Sequence, residues 1–296
     1  MSQADNLVPR WWEKAEGADE IQCGLCVHAC VIAGGKAGYC SARFNDGHTL
    51  VSPYLGRFSS IAVDPIEKKP LYHWRPGTSI LSLGSLGCTM RCPFCQNHGI
   101  AQPDTRRTPP LSEIPIAVLA AKAGELGLDS VAYTYNEPAL QAEYIIAAAP
   151  LLRERGIATV LVSNGMYSEP LLRDLAPHVE AANIDVKTFN PRTYVKLGGD
   201  LDTVKRTVAG LLEAGTHVEC TTLAVPGVSD SSEEFAAELD WLASLSPGIP
   251  LHISRYRPAH KFTAPPTDTT LLQRFARMAA QKLKHVHIGN APGVTW

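Results

Sequence analysis

The strongest constraint on the fold is an alternation that begins at residue 79. From there on, short runs rich in β-branched residues alternate with longer amphipathic runs, which is the pattern of βα units around a parallel sheet. The predicted strands are 79–87, 129–135, 157–163, 180–186, 216–224, 249–255 and 284–290. The predicted helices are 112–126, 137–155, 168–178, 201–215, 231–245 and 268–283.

The number of repeats limits the architecture. Six βα units and a terminal strand are fewer than the eight units of a closed (β/α)8 barrel, which takes about 250 residues. We therefore expect an α/β fold, a partial (β/α)6 open barrel of the TIM type, over residues 79–296. A doubly wound sheet is the alternative, although the chain has neither GxGxxG nor GxxxxGK[ST]. Residues 1–78 are predicted to form an N-terminal Cys-rich module packed on the barrel.

Charge and hydropathy exclude several classes of partner. Lysine and arginine number 27 against 29 aspartates and glutamates, so the net charge is -2 and no basic surface for nucleic acid is indicated. The chain shows no signal-peptide pattern and no uncharged apolar run of about 18 residues. We therefore expect a cytoplasmic protein without nucleic-acid or membrane partners.

Three of the eight cysteines stand on one predicted loop. Cys88, Cys92 and Cys95 spell CxxxCxxC directly after the first strand, at the end where barrel folds carry their active sites. Three thiolates can each bind one iron of a cubane cluster and leave the fourth iron without a protein ligand. The spacing therefore predicts a reactive site with an open coordination position.

A second group of cysteines lies near the N-terminus. Cys23, Cys26, Cys30 and Cys40 form a complete four-thiolate set, which suits either structural zinc or a second iron–sulfur cluster. The spacing does not choose between these metals; His28 is a possible replacement ligand, and unliganded thiols are the remaining alternative. The eighth cysteine, Cys220, is predicted to be a small buried side chain.

The segment CTMRCPFCQN, with an aromatic residue before its last cysteine, resembles the radical S-adenosylmethionine (SAM) superfamily. Within it, the chain is similar to the branch of pyruvate formate-lyase activating enzyme. DPIEKKPLYH and a PG pair before the motif, QNHGIAQ after it and the N-terminal CGLCVHAC resemble the AmmeMemoRadiSam group of this branch. The resemblance covers nearly the whole chain.

This resemblance implies a [4Fe-4S] cluster on Cys88, Cys92 and Cys95, with SAM chelating the fourth iron. Reductive cleavage of SAM then gives methionine and a 5′-deoxyadenosyl radical that abstracts a substrate hydrogen. The implied partners are a reductant of the flavodoxin or ferredoxin type and either a glycyl-radical enzyme or an Amme/Memo-type protein. An enzyme with its own non-protein substrate is the alternative, and a zinc-stabilised scaffold protein is a second one.

Two predicted strand ends match the family's SAM-binding segments. Asn136 and Glu137 stand where the family has its GGE-type motif, with Tyr135-Asn136 replacing Gly-Gly, and the resemblance directs Glu137 to the SAM ammonium. Ser163 and Asn164 match a TNG-like segment near the ribose or amino-acid end of SAM. A helix N-terminal carboxylate and an ordinary Asn-Gly turn are the alternatives.

The fourth strand carries two charges on one face. Asp185 and Lys187 are two residues apart, and buried charges at such positions must be paired or bound to a ligand. The resemblance to the DxK of the activases assigns Lys187 to the SAM carboxylate and Asp185 to the ammonium or a cation; an ion pair between them is the alternative.

Further assignments rest on the resemblance alone. They place Phe94 near the adenine and Arg257 at the nucleoside, with His260 as a substitute for Arg257. The charged run 64–69 is either solvated or has a role in covering SAM or docking a partner.

Overall fold

The architecture is known from a computed structural model that describes residues 7–17, 19–103 and 109–296. Its strands in chain order are β1 (Trp12–Lys14), β2 (Glu20–Cys23), β3 (Val31–Ala33), β4 (Phe44–Asn45), β5 (Leu50–Val51), β6 (Arg57–Phe58), β7 (Ser60–Pro65), β8 (Ser79–Gly84), β9 (Ser112–Glu113), β10 (Ser130–Tyr133), β11 (Ala158–Ser163), β12 (Ala181–Val186), β13 (His217–Ala224), β14 (Leu251–Arg255) and β15 (Val286–Gly289). Each of the seven predicted strands contains one of these strands.

The main sheet has eight strands in the order β7-β8-β10-β11-β12-β13-β14-β15. β7 is antiparallel to β8, and every other neighbouring pair is parallel. From β8 to β15 the spatial order follows the chain without a reversal, so the doubly wound alternative, which needs a switch point, is wrong. The expected α/β fold with a mostly parallel sheet is confirmed.

The helices follow the strands of this sheet. They are α1 (His98–Ala101), α2 (Ile116–Glu125), α3 (Ala142–Arg153), α4 (Glu169–Leu175), α5 (Pro191–Lys196), α6 (Leu201–Glu213), α7 (Ser232–Leu245) and α8 (Thr269–Ala279). Several begin at a side-chain cap: Asp200, Ser231 and Asp268 each accept a backbone N–H of the first turn. In the described part of the chain, no helix is long and apolar enough to cross a membrane.

Each predicted helix contains a helix, but the limits differ. Residues 112–113 were predicted to be helical but form β9, which pairs with β6. The helix α2 begins only at Ile116, because the backbone of Pro115 before it is extended. Residues Pro138–Gln141 form a 3-10 turn before α3. The short helices α1 and α5 were not predicted, since four and six residues are too few for an apolar periodicity.

The N-terminal residues pack on the main sheet and its helices. The Arg43 guanidinium forms a buried ion pair with Glu143 of α3, and Ser168 N donates to Leu25 O over 3.2 Å. β7, which lies within the predicted module, is itself an edge strand of the main sheet. The division of the chain at residue 78 stays a prediction.

The connection from β7 to β8 packs against the N-terminal halves of the parallel strands. Asn183 of β12 donates through Nδ2 to Pro70 O over 2.8 Å, and Glu219 of β13 accepts the backbone N–H groups of Tyr72 and His73 over 3.1 and 2.8 Å. We call residues 70–74 the floor segment, because the cavity described below lies at the opposite ends of the same strands.

Candidate active site

A cavity of about 320 Å³ lies at the carboxyl ends of the parallel strands. Its walls come from the loop after β8, the residues around the ends of β10, β11 and β12, the ends of β13, β14 and β15, and residues 68–70 of the connection between β7 and β8. The predicted site residues that line it are Cys88, Cys92, Cys95, Phe94, Asn136, Glu137, Ser163, Asn164, Asp185 and Lys187. The topology therefore brings ten side chains from four separate segments to one place, as parallel α/β folds do.

The three cysteines of the CxxxCxxC loop are free thiols on the wall of this cavity. Burial raises the pKa of all three, that of Cys92 to about 11, while the charge of Lys187 lowers the pKa of Cys92 and Cys95. Cys88 Sγ also accepts weak hydrogen bonds from Met90 N at 3.4 Å and Asn164 Nδ2 at 3.5 Å. Soft donors with nearby N–H groups and a cation fit the thiolate ligands of an iron–sulfur cluster.

A site for a single metal ion needs several ligand side chains around one point, unlike a cluster, in which each cysteine binds a different iron. Within 7–17, 19–103 and 109–296, no three His, Cys, Asp or Glu side chains stand close enough to hold a single ion. This does not bear on a cubane cluster at Cys88, Cys92 and Cys95, because each thiolate there binds a different iron.

The N-terminal cysteines lie close to one another without forming such a site. Cys23, Cys26 and Cys40 are buried, and burial followed by the neighbouring thiols raises the pKa of Cys26. His28 does not join them, because its Nε2 lies 2.7 Å from the carbonyl oxygen of Thr89. Zinc or a second cluster on the four cysteines stays a prediction.

Glu137 is held by the ends of two strands. Its Oε1 accepts Ala139 N at 3.0 Å and Ser163 Oγ at 2.8 Å, and its Oε2 accepts Asn164 N at 3.0 Å. Burial raises the pKa of Glu137 to about 7 in spite of these hydrogen bonds. The contact with Ala139 is the cap of the following turn, so the predicted helix-terminal role is confirmed.

Two asparagines of the predicted site hold the cysteine loop. Asn136 accepts Ser85 N at 2.9 Å and donates to Gly87 O at 3.0 Å. Asn164 Nδ2 donates to Thr89 Oγ1 at 3.0 Å. Asn136 thereby fixes the backbone before Cys88, whereas Asn164 holds the side chains of Thr89 and Cys88, and the sequence reasoning did not foresee either role.

Asp185 and Lys187 face the cavity side by side, as predicted. Lys187 Nζ lies 2.7 Å from Asp185 Oδ2, so the alternative of an ion pair is confirmed for this structure. Burial alone would lower the pKa of Lys187, but the charges of Asp185 and Cys92 outweigh it and raise that pKa.

Of the three assignments that rest on the resemblance alone, only Phe94 lies on the cavity wall. Phe94 is buried, lines the cavity and packs edge-on against Phe262, with ring centroids 6.0 Å apart. Arg257 is exposed and lies outside the lining. His260 stacks on His98 with centroids 4.3 Å apart, and Lys261 N donates to Pro93 O, so this segment packs beside the cysteine loop.

The sequence missed or left open the cavity residues Lys69 and Tyr135 and their common partner Asp64. Lys69 lines the cavity and is buried, its Nζ lies 2.8 Å from Asp64 Oδ2, and Tyr135 donates its hydroxyl to the same Oδ2 over 2.7 Å. The solvated interpretation of the run 64–69 is therefore wrong for Asp64 and Lys69. The alternation of β7 gives no signal for this, because Ile61 and Val63 share the more apolar face and would be expected inside, whereas in the structure they are exposed and Asp64 on the other face is buried.

Comparison with known proteins identifies the family. The model of the Radical SAM superfamily matches residues 83–240, a range that begins at the end of β8 and includes the cysteine loop, Glu137 and Lys187. This chain belongs to the radical SAM superfamily, a family of enzymes that use SAM and a [4Fe-4S] cluster.

Relatives among the curated proteins agree with this membership. An uncharacterized protein of Methanocaldococcus jannaschii, MJ0808, is 34% identical over 289 residues, which cover 96% of this chain and 85% of that protein. A putative glycyl-radical enzyme activating enzyme of the same organism, MJ1227, is 27% identical over 155 residues, 50% of this chain and 62% of that protein. The 7-carboxy-7-deazaguanine synthase of Thermococcus kodakarensis is 27% identical over 180 residues, 60% of this chain and 65% of the synthase.

Solved structures share the fold at low identity. Streptococcus suis SuiB bound to S-adenosylmethionine matches with a TM-score of 0.53 and 16% identity, over 68% of this chain and 47% of SuiB. QueE from Escherichia coli matches with a TM-score of 0.52 and 12% identity, over 80% of this chain and 94% of QueE. This chain thus spans about half the length of SuiB and nearly all of QueE.

Proposed function

We propose that the protein is a radical SAM oxidoreductase related to glycyl-radical-enzyme activating enzymes, with Cys88, Cys92 and Cys95 as the ligands of its [4Fe-4S] cluster. The observation that supports this best is one cavity with three thiols on its wall and a carboxylate and an ammonium, Glu137 and Lys187, facing the same space. With the cluster and SAM bound, the family's chemistry is reductive cleavage to methionine and a 5′-deoxyadenosyl radical that abstracts a substrate hydrogen.

In this proposal the protein's charges orient the zwitterionic end of SAM. Glu137 binds the ammonium, which favours the ionised carboxylate over its protonated form. Lys187 binds the carboxylate and exchanges its contact with Asp185 for it, and Asp185 then faces the ammonium or a cation. Ser163 and Asn164 fix Glu137 through their hydrogen bonds, and Phe94 supplies an apolar surface for the adenine.

The wider architecture is part of the proposal. The sheet forms a partial (β/α)6 barrel over residues 79–296, and residues 1–78 form a module that packs on the cysteine loop through His28 and Thr89. Cys23, Cys26, Cys30 and Cys40 are the proposed ligands of zinc or a second cluster; zinc would require their thiols to come closer together than they stand in this structure. Arg257, which is exposed, reaches the nucleoside only if its segment moves.

The substrate is either a glycine of a partner protein, as the activating-enzyme relatives favour, or a non-protein molecule. The second candidate is favoured by the floor segment, which blocks the far ends of the strands, and by the buried Lys69 at the cavity wall. An Amme/Memo-type protein is a further candidate partner, and a cytoplasmic flavodoxin or ferredoxin is the proposed reductant.

Anaerobic reconstitution tests the proposal. We expect about four irons bound through Cys88, Cys92 and Cys95, and 5′-deoxyadenosine after dithionite reduction with SAM. Zinc measured beside iron decides the occupant of the N-terminal cysteines, because about eight irons indicate a second cluster. The Cys92→Ala variant should form no deoxyadenosine, while Cys220→Ala, which removes a buried thiol outside the cavity, should retain it. A wild-type protein that holds zinc alone and makes no deoxyadenosine contradicts the proposal and favours the scaffold alternative.

A further inference from the structure

The cavity contains a second buried cation besides Lys187. The side chain of Lys69 is 3% exposed, and it enters from the connection between β7 and β8 rather than from a βα loop. Lys187 belongs to the SAM-binding strand ends in the proposed function. Lys69 has no task there, although it lines the same space.

The contacts of Lys69 leave part of its bonding capacity free. An ammonium group carries three N–H donors. In the described part of the chain, Asp64 Oδ2 at 2.8 Å is the one acceptor that Lys69 Nζ reaches, and a second side of the ammonium lies over the Tyr135 ring, 4.6 Å from its centroid. At least one donor therefore remains for a group inside the cavity, where an unmade hydrogen bond of a buried charge is costly.

The local charge is not balanced. The Asp64 carboxylate is shared between Lys69 and Lys68, whose Nζ lies 3.2 Å from Oδ1, and it also accepts the Tyr135 hydroxyl. Two ammonium groups thus face one carboxylate. Burial, the larger effect, and the neighbouring Lys68 lower the pKa of Lys69, whereas Asp64 raises it. An anion beside Lys69 would neutralise the excess positive charge.

Tyr135 has a backbone conformation that is unfavourable for any residue with a side chain. Its φ is +70°, in the left-handed region that glycine adopts without strain. A tyrosine at such a position costs on the order of 1 kcal/mol or more, and strain of this kind concentrates at functional sites. Here the strained backbone places the hydroxyl on Asp64 and the ring against Lys69.

We propose that Lys69, positioned by Asp64 and Tyr135, binds an anionic oxygen group of the substrate, a carboxylate or a phosphate, inside the cavity. This inference rests on the proposed function and adds a substrate class to it. It assigns the substrate end of the cavity to the segment between β7 and β8, and the SAM end to the loops after β8, β10, β11 and β12.

The test uses the reconstituted holoenzyme saturated with SAM, so that Lys187 and Glu137 are already engaged. Thermal unfolding is measured with sodium phosphate, sodium acetate or sodium chloride at equal ionic strength. For an anion site with a dissociation constant of about 5 mM, 50 mM ligand should raise the wild-type Tm by about 3 °C. A rise with phosphate alone or acetate alone identifies which anion the site prefers.

Two variants locate the effect. Lys69→Met should abolish the anion-specific rise in Tm. Lys122→Met removes an exposed lysine of α2 that pairs with Glu125 and does not line the cavity, and it should keep the rise. An equal rise in the wild type and in Lys69→Met overturns the inference, as does a wild type that responds to neither anion.

A direct measurement covers the case in which Lys69→Met does not fold. The ammonium ¹⁵N resonance of Lys69 is assigned by its disappearance in Lys69→Arg, and phosphate or acetate should shift it in the wild type. An unshifted resonance overturns the inference. Deoxyadenosine formation by the same wild-type sample tests the proposed function separately, so that a failure of either is distinguishable from a failure of the other.

Discussion

At the scale of single residues, the protein buries charges in different kinds of surroundings. Asp185 and Lys187 neutralise one another at the cavity, whereas Glu238 lies fully buried with the hydroxyl of Thr222 as its hydrogen-bond donor. Burial raises the pKa of Glu238 to about 8. A paired charge is available to exchange its partner for a ligand, but the carboxyl of Glu238 is kept neutral by its surroundings.

Replacing Lys187 by Met should weaken SAM binding at least tenfold, because a charge-assisted contact contributes about 1.5–3 kcal/mol. The iron content should stay the same, since Lys187 is not a cluster ligand. Equilibrium binding of SAM to the reconstituted protein measures the effect, with Lys68→Met as the control that removes a lysine elsewhere on the cavity rim. An unchanged affinity in Lys187→Met would move the SAM carboxylate to another part of the cavity.

The raised pKa of Glu238 predicts a pH dependence of stability. Between the unfolded pKa of about 4.3 and the folded pKa of about 8, the folded state holds a proton that the unfolded state has released, so stability falls as the pH rises through this window. Glu238→Gln should remove this loss and gain on the order of 3 kcal/mol relative to the wild type between pH 5 and pH 9. Urea unfolding measures it, with the exposed Glu233→Gln as the control. Parallel pH profiles of the wild type and Glu238→Gln would contradict the prediction.

At the scale of elements, the cysteine loop is shaped by the N-terminal residues packed behind it. Gly87, directly before Cys88, has a φ of +89°, and a Cβ placed there would lie 2.5 Å from Cys40 O and 3.0 Å from the Ala42 Cβ. Arg91, inside the loop, donates to Tyr39 O and to Ser41 Oγ. The segments that carry the two groups of cysteines are therefore in direct contact, through the close approach of Gly87 to Cys40 and through the Arg91 side chain.

The variant Gly87→Ala should disturb this contact. The added methyl group requires both an unfavourable φ and a shift of the N-terminal backbone, and we expect a loss of about 2 kcal/mol or more in stability together with incomplete iron loading. The matched control is Gly99→Ala in α1, because a Cβ at Gly99 meets nothing within 4 Å. Iron analysis and thermal unfolding compare the two. Equal iron content and Tm in both variants would show that the contact has no role in shaping the loop.

At the scale of the whole molecule, the parts that the sequence predicted are those with a local signal. The strands and CxxxCxxC are continuous patterns, so their positions follow from periodicity and spacing. Lys69 and Tyr135 meet only because β7 pairs antiparallel to β8, a non-local contact that no periodicity reveals. The sequence could not exclude a doubly wound sheet for the same reason, because the order of the strands in the sheet is also non-local. Asn136 and Asn164 line the cavity as expected, but their hydrogen bonds to Gly87 O and to Thr89 Oγ1 were not predicted, because contacts between separate loops have no sequence signature.

The ion pair between Arg43 and Glu143 joins the N-terminal residues to the rest of the molecule. Both side chains are buried, and Glu143 also accepts Arg10 N at 2.8 Å. Arg43→Met should cost about 3–5 kcal/mol, since it leaves a buried carboxylate without its cation. The double variant with Glu143→Gln should recover part of the loss. Thermal unfolding measures both, and a double variant no more stable than Arg43→Met would show that the loss comes from packing rather than from the unpaired charge.

The floor segment lies within the connection of a hairpin, because β7 and β8, which this connection joins, are antiparallel. The length of this connection therefore determines the depth of the cavity. The connection contains none of the proposed cluster cysteines and none of the strand ends proposed to hold SAM. Insertions or deletions in that connection would enlarge or shorten the cavity without altering the cysteine loop or the strand ends on its walls. A change in this single hairpin would therefore alter the length of the molecule that the cavity can hold while the opposite ends of the strands stay the same.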